Sequence, residues 1–208
     1  MQQQSKPEAI LRAARRVFML HGYAAASMDK VAAAAAVSKA TVYAYFADKR
    51  ELFAAVTASE AARYAGSLSL RSAPRGALPR QLLVVGRQVL DLLLDPETIS
   101  AYRMVVAESG RAPELGQVFH QSGPQQLLQR LEQFFAGSML RDDLRRADAR
   151  RAAEQFVGLI RGDLQLRALL GVAGDLSARA RNSAVRAGVA AFWRVYQPVA
   201  RAARKRRP

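Results

Sequence analysis

Apolar residues recur three or four positions apart along most of the chain, the spacing that places side chains on one face of an α-helix. A first helix is expected to begin at Pro7, after an N-cap at Ser5 or Lys6, and to end near Gly22. Its apolar stripe consists of Ile10, Ala14, Val17 and Phe18.

Polar residues that cap helices mark the next elements. Ser27 is predicted to cap a short second helix and Ser38 a third. Asp48 and Glu51 have the spacing of a capping box, which predicts a fourth helix over 49–70. No segment shows sustained alternation of apolar and polar residues, so the predicted fold class is all-α. After a break at 72–76, further helices are predicted at 78–94, 97–109, 113–121, 124–136, 148–170 and 177–196.

The amino-acid composition agrees with a helical fold. Alanine, leucine and arginine dominate, and aromatic residues make up only 7% of the sequence. Half of the 208 residues are apolar, which is enough for a packed core, and the absence of cysteine excludes disulfides and cysteine-ligated zinc. The N-terminus is polar and no apolar run approaches the roughly 18 residues of a membrane span. We therefore expect a cytoplasmic protein without a membrane partner.

Positive charge is concentrated at the two ends of the sequence. The formal net charge is +15. Residues 1–50 hold eight cationic and three acidic residues, and residues 201–208 hold five cationic residues and no acidic one. Residues 51–200 hold 19 cationic and 14 acidic residues. A genome rich in arginine codons would spread this charge evenly, so the distribution favours a nucleic-acid-binding face.

Residues 27–53 have the pattern of two short helices joined by a tight turn, a geometry that fits the major groove of DNA. The third predicted helix is too short to bury much surface by itself. Val42 and Phe46 are four residues apart and are predicted to face inward together. This orientation leaves six residues available to DNA, namely Lys39, Ala40, Thr41, Tyr43, Ala44 and Tyr45.

The segment resembles the helix-turn-helix of the TetR family of repressors over roughly residues 1–55. The resemblance rests on Tyr-x-x-Phe at 43–46 followed by Lys-x-x-Leu at 49–52. It implies contacts with base edges or nearby phosphates for Lys39, Ala40, Thr41 and Ala44. Contacts with the phosphate backbone are implied for Tyr43, Tyr45 and Lys49. Contacts with the opposite edge of the groove are expected for Ser27 and Lys30.

These assignments have structural alternatives. Ser27 can serve only as a helix cap, and Tyr43 or Tyr45 can belong to the core. The contact set is poor in arginine, asparagine and glutamine, so we expect thymine methyl groups and DNA shape to carry much of the specificity. The turn has Ala36 where the family usually has glycine, and a left-handed conformation there costs alanine about 1 kcal/mol.

Residues 78–171 resemble the C-terminal domain of the AefR-like branch of the same family, through segments 102–109, 113–115 and 156–162. The resemblance implies a ligand cavity between helices and a link to efflux, signalling or stress genes. The candidate effector residues are apolar or aromatic side chains with a few polar anchors, and for each of them a place in the core is the alternative. They are Met104, Glu108, Phe119, His120, Leu131, Phe134, Phe135, Phe156 and Asp163.

The last two predicted helices are expected to form a homodimer interface. The final helix has one apolar stripe, and the helix before it is apolar on more than one face, as a helix buried on all sides would be. Two copies would form a four-helix bundle about a twofold axis, and burial within one chain is the alternative. The predicted interface residues are Phe156, Ile160, Leu164, Val185, Val189, Phe192, Trp193 and Tyr196.

An enzyme is the main alternative class. The chain has only two histidines, no glycine-rich phosphate loop and no paired metal-binding histidines, so we predict no catalytic residue, no metal site and no cofactor. A purely architectural DNA-binding protein is the second alternative, and it would have a filled C-terminal domain without an effector.

The sequence therefore predicts a transcriptional regulator with a helix-turn-helix DNA-binding domain at 1–50, a helical ligand-binding and dimerisation domain at 51–200 and a basic tail at 201–208. Its expected partners are double-stranded operator DNA, a small-molecule effector and a second copy of the chain. The effector is expected to move the fourth helix and change the separation of the two recognition helices, which releases a palindromic operator.

Overall fold

The computed structural model describes residues 5–68, 70, 77–172 and 176–198, without the side chains of residues 61 and 63–67. These ranges contain eleven α-helices and no strand, which confirms the all-α prediction, and none of the helices is long and apolar enough to cross a membrane. The break at 72–76 and the basic tail at 201–208 lie outside the described residues. The helices are α1 (Lys6–Ala25), α2 (Met28–Ala35), α3 (Lys39–Tyr45), α4 (Lys49–Ser67), α5 (Leu78–Leu93), α6 (Pro96–Glu108), α7 (Pro113–Ser122), α8 (Pro124–Leu140), α9 (Ala149–Arg161), α10 (Leu164–Leu170) and α11 (Ala178–Tyr196).

Side-chain caps begin the helices where the sequence predicts them. Ser27, Ser38 and Asp95 each accept a hydrogen bond from a backbone N–H in the first turn of the helix that follows. Asp48 does the same at the start of α4, where its Oδ1 accepts from the N–H of Glu51 at 2.7 Å. These bonds satisfy N–H groups that have no carbonyl partner within their own helix.

Several predicted helix ends are wrong. α4 ends at Ser67 instead of 70, and α8 continues to Leu140 instead of ending at 136. Two further errors involve glycines with positive φ. α1 continues to Ala25, because Gly22 (φ 73°) produces a kink instead of an end. The single helix predicted at 148–170 is two helices, because Gly162 (φ 48°, ψ −131°) ends α9 before α10 begins. A residue with a Cβ adopts such backbone angles at a cost, so glycine is the residue that permits each change of direction.

The described chain forms two compact units. The first contains α1–α4, α6, α7 and most of α10. Phe18 of α1 and Phe53 of α4 are buried in its core with ring centroids 5.4 Å apart, edge to face. Val42 of α3, Val105 of α6 and Leu115 of α7 belong to the same core, so α6 and α7 pack with the helix-turn-helix rather than apart from it.

The second unit contains most of α5 and α8 together with α9 and α11. Phe135 of α8, Phe156 of α9 and Phe192 of α11 are fully buried, and their ring centroids lie 5.0–5.4 Å apart. The hydroxyl of Tyr196 donates a hydrogen bond to Oε1 of Gln155 at 2.7 Å. This aromatic cluster makes the pair α9 and α11 the centre of the unit.

The backbones of α9 and α11 come close together at Gly188. A Cβ added at Gly188 would lie 2.7 Å from the carbonyl oxygen of Leu159 and 3.1 Å from Cδ1 of Ile160. The first of these atoms belongs to the backbone and cannot rotate away. Glycine is therefore required at this position of α11.

Replacement of Gly188 by alanine is expected to lower the free energy of unfolding by about 1–3 kcal/mol, because the added methyl group overpacks the contact with α9. Urea denaturation at one fixed protein concentration measures the change. Gly116→Ala in α7 is the control, since a Cβ there has no neighbour within 4 Å. Alanine inside a helix is favoured over glycine by about 0.5–1 kcal/mol, so this control should be neutral or stabilising. Wild-type stability of Gly188→Ala would contradict the close approach.

Candidate nucleic-acid interface

The turn between α2 and α3 is made by residues 36–38. Ala36 has φ 54° and ψ 42°, which confirms the left-handed conformation considered for it from the sequence. The N–H groups of Ala36 and Val37 donate to the carbonyls of Ala33 and Ala32 at 3.2 and 3.1 Å. These bonds close the end of α2. Ser38 then caps α3, so the direction of α3 is set locally.

The two sides of α3 differ sharply in burial. Val42 is fully buried and Phe46, just after the helix, is 8% exposed, which confirms their predicted inward orientation. Tyr43 and Tyr45 are 46% and 44% exposed, so neither tyrosine is in the core. Lys39, Ala40 and Ala44 are also exposed, whereas Thr41 is half-buried. Five of the six α3 residues predicted to contact DNA are thus exposed, and the contacts themselves stay a prediction.

Lys39 forms an ion pair that the sequence analysis did not anticipate. Its Nζ lies 2.7 Å from Oδ1 of Asp29, in the first turn of α2. This hydrogen bond, together with the attraction between the two charges, raises the pKa of Lys39 above its ordinary value. The ammonium also lies 6.0 Å from the centre of the Tyr43 ring. The ammonium of Lys39, a residue of α3, is therefore bonded to α2.

Ser27 and Lys30, the residues predicted at the opposite edge of the groove, both have partners in the chain. The hydroxyl of Ser27 accepts from the backbone N–H of Lys30 at 3.2 Å, which makes Ser27 a helix cap. The ammonium of Lys30 donates to the carbonyl of Ala25 at 2.8 Å. Lys30 is nevertheless exposed, so a phosphate can reach its remaining donors.

Lys49 closes the end of α1. Its ammonium donates to the carbonyls of Tyr23, Ala24 and Ala26 at 2.9, 3.3 and 3.2 Å, and it lies 4.4 Å from the centre of the Tyr23 ring. Burial is the main cause that raises the pKa of Tyr23 above its ordinary value. A lysine at the start of a helix gives no sign in the sequence that its ammonium reaches back to an earlier helix, so this arrangement was not predicted. The predicted phosphate contact would require this ammonium to leave three carbonyls.

Arg15 joins α1 to two further helices of the first unit. Its guanidinium forms an ion pair with Glu60 of α4 at 3.1 Å and another with Glu97 in the first turn of α6. All three side chains are partly exposed, so the pairs contribute little to stability. Their geometric effect is to tie the orientation of α1 to those of α4 and α6.

The predicted effector residues of the first unit differ in burial. Met104 and Phe119 pack partly buried against the core that includes α3, and Phe119 meets the ring of Tyr102 at 4.8 Å, edge to face. Glu108 is half-buried and His120 is exposed. The two apolar members therefore contact the core of this unit, and a role in effector binding stays a prediction.

The remaining predicted effector residues belong to the second unit. Asp163 is exposed. A cleft of about 310 Å³ also lies in this unit, and among the predicted residues it involves only Phe134. Four predicted residues are buried in the core, namely Leu131, Phe134, Phe135 and Phe156. The residues that line the cleft are Leu70, Arg130, Gln133, Phe134, Gly137 and Arg141.

The two arginines of the cleft differ in their partners. Nε of Arg141 lies 3.0 Å from a carboxylate oxygen of Asp143, which compensates its charge. Arg130 is half-buried and has no ion pair with any residue in the described ranges. Neither Arg130 nor Arg141 was among the predicted residues, because an arginine-rich sequence offers no sign of which cations line a cavity. The cleft thus presents guanidinium and amide donors beside an aromatic ring.

The residues predicted for the dimer interface lie mostly inside one chain. A side chain without accessible surface has none to offer a second chain, so packing within the chain accounts for the apolar stripe of α11. Trp193 is half-buried, and the other sides of α9 and α11 expose Leu159 and Val195 at 40% and 47%. Seven predicted interface residues are at most 6% exposed, namely Phe156, Ile160, Leu164, Val185, Val189, Phe192 and Tyr196.

Two sequence families match the chain. Residues 10–56 match the bacterial regulatory proteins of the tetR family. Residues 80–198, more than half of the chain, match the C-terminal domain of AefR-like transcriptional repressors. The HTH-type transcriptional repressor AcnR of Corynebacterium efficiens is 37% identical over 62 residues, which are 30% of this chain and 33% of that repressor. The chain therefore spans a third of the length of AcnR.

Solved structures resemble the chain over nearly its whole length. The flavonoid-responsive regulator FrrA is 36% identical with a TM-score of 0.80, over 94% of this chain and 98% of that chain. A putative TetR-family transcriptional regulator from Mesorhizobium loti is 26% identical with a TM-score of 0.81, over 92% of this chain and 96% of that chain. The similarity thus includes the helix-turn-helix and the helices that follow it.

Replacement of Lys49 by methionine is expected to lower the free energy of unfolding by about 1–2 kcal/mol, because three carbonyls at the end of α1 lose a charged donor. Chemical denaturation measures this. Lys6→Met, at the exposed start of α1, is the control and should leave stability unchanged. If Lys49 acted only on phosphate, the two variants would be equally stable, and that result would contradict its role at the end of α1.

Proposed function

This chain belongs to the TetR family of bacterial transcriptional regulators, and we propose that it represses transcription from a palindromic operator, which it binds as a homodimer and leaves when a small-molecule effector binds. Members of this family are DNA-binding transcription factors and not enzymes. We propose that the DNA-binding part ends near residue 50 and that the helical part continues to residue 200. Because its target is bacterial DNA, we place its action in the cytoplasm.

The exposed side of α3 carries the DNA-binding proposal. Tyr43 and Tyr45 present rigid rings with hydroxyl groups that reach phosphate oxygens, while Val42 and Phe46 hold the helix from below. Lys39, Ala40, Thr41 and Ala44 are proposed to face base edges or nearby phosphates, and Ser27 and Lys30 the opposite edge of the groove. We propose that Lys49 assists by fixing α4 to α1 rather than by binding phosphate.

Homodimerisation is proposed through the accessible sides of α9 and α11. The buried sides of these helices already pack within one chain, whereas Leu159 and Val195 present apolar surface to solvent. Trp193, two residues before Val195, is half-buried. The same faces of a second copy would cover these side chains in a four-helix bundle. A twofold dimer also presents two recognition helices to successive major grooves, as a palindrome requires.

The effector is proposed to bind the cleft along α8. Arg130 and Gln133 supply hydrogen-bond donors and Phe134 supplies an aromatic surface, so the cleft favours an aromatic compound with hydroxyl or acidic groups. The related protein FrrA is named as flavonoid-responsive, and flavonoids are aromatic compounds with hydroxyl groups. This site would be supported if the flavonoid naringenin dissociates the DNA complex of the wild-type protein and the DNA complex of Arg130→Ala remains intact under the same conditions.

Selection of bound fragments from genomic and random duplex DNA is the experiment that tests the proposal. We expect a recovered inverted repeat whose half-sites lie about one helical turn (10–10.5 base pairs) apart. Tyr43→Phe should then bind every duplex about threefold to tenfold more weakly, because it loses one hydroxyl contact with phosphate. Tyr196→Phe is the matched control, since that hydroxyl bonds to Gln155 in the second unit. Unchanged affinity of Tyr43→Phe would remove this hydroxyl from the interface.

Introduction of a charge at Leu159 tests the proposed dimer surface. Leu159→Glu is expected to shift the protein from dimer to monomer in sedimentation at micromolar concentration, because an unpaired carboxylate would be buried between two chains. Circular dichroism should show unchanged helix content, since the side chain is 40% exposed in one chain. Val106→Glu on α6 is the control, because Val106 is 68% exposed outside the proposed surface. A dimer that tolerates Leu159→Glu would contradict the assignment.

A further inference from the structure

An acidic residue belongs to the surface that is proposed to meet DNA. Asp29 lies in the first turn of α2, and its Oδ1 is 2.7 Å from the ammonium of Lys39, the first residue of α3. The two side chains are 63% and 58% exposed. An exposed pair of this kind contributes only about 0–1 kcal/mol to stability, so the ion pair itself adds little to folding.

The two charges differ in how they suit their helices. A carboxylate in the first turn of α2 is favourable because the N-terminus of a helix carries a partial positive charge. The ammonium of Lys39 lies at the N-terminus of α3, where that partial charge repels it. Asp29 compensates this repulsion, and the Tyr43 ring lies 6.0 Å from the ammonium within α3. These two contacts favour one orientation of the Lys39 side chain in the protein without DNA.

We propose that Asp29 is a specificity-determining residue that orients Lys39 towards base edges and keeps its charge from binding phosphates of unrelated DNA. This inference rests on the proposed DNA-binding function. Asp29 is a positioning residue, because it acts through Lys39. The proposal requires no contact between Asp29 and DNA.

The pair between Asp29 and Lys39 acts differently on unrelated DNA and on the operator. Affinity for unrelated duplexes comes almost wholly from neutralised phosphates, and a lysine whose charge is already compensated adds nothing to that affinity. At the correct operator, an ammonium has three N–H donors, so Lys39 can keep its bond to Asp29 while it donates to O6 and N7 of a guanine. The pair thus weakens binding to unrelated DNA more than binding to the operator.

Asp29→Asn tests the proposal in the full-length protein, with the duplex recovered by selection and a scrambled duplex of equal length. We expect affinity for the scrambled duplex to rise about threefold to tenfold, and the slope of log affinity against log salt to steepen by about 0.9, the value for one added phosphate contact. Affinity for the operator should change less. The ratio of the two affinities should therefore fall.

A cycle with Lys39→Gln separates orientation of Lys39 from simple loss of negative charge. In the Lys39→Gln background, Asp29→Asn should no longer steepen the salt slope, because no ammonium is released. Asp91→Asn is the matched control, since Asp91 is 52% exposed and pairs with Arg181 at 3.2 Å in the second unit. It should leave both affinities unchanged.

The outcomes that overturn the inference are distinct. An effect of Asp29→Asn that persists fully without Lys39, or that Asp91→Asn reproduces, would attribute it to net charge. An unchanged affinity ratio in Asp29→Asn, with operator selection intact in the wild type, would overturn this inference alone. A wild-type protein that prefers no duplex sequence would overturn the proposed function and this inference together.

Discussion

The DNA-binding surface depends on the burial of two side chains beneath a very short helix. A helix of seven residues makes too few internal hydrogen bonds to be stable alone in water. α3 is held because Val42 and Phe46 enter the core formed with α1 and α4, and because Ser38 caps its first turn. The same anchoring leaves Tyr43 and Tyr45 exposed on the other side. Stability of the fold and presentation of the reading surface thus arise from one packing contact.

Charged side chains connect this small module to the helices that follow. Lys49 ties the first residue of α4 to the last carbonyls of α1, and Arg15 ties α1 to Glu60 of α4 and Glu97 of α6. Val105 and Leu115 bring α6 and α7 into the same core. A displacement of α4 or α6 would therefore move α1, against which α2 packs, and α3 packs against α2 in turn. These contacts couple movements of α4 and α6 to the helix-turn-helix within the first unit.

The sequence predicted best what depends on neighbouring residues. Caps at Ser27 and Ser38 and the inward direction of Val42 and Phe46 follow from spacings of three or four residues, and the structure confirms them.

Contacts between segments that are distant in the sequence could not be predicted from such short spacings. The bond of Lys39 to Asp29 and the three carbonyls around Lys49 exist only once the helices pack. The apolar stripe of α11 predicts burial but not the partner, because a core and an interface require the same periodicity.

Exposure of Tyr43 and Tyr45 to hydroxyl radicals, with and without the selected duplex, tests the central claim most directly. Both rings should be oxidised in the free protein and protected in the complex, whereas Leu140, 74% exposed on α8, should react equally in both states. Tyrosines that remain fully reactive in the protein–DNA complex would contradict the claim that the exposed side of α3 is the surface that binds DNA.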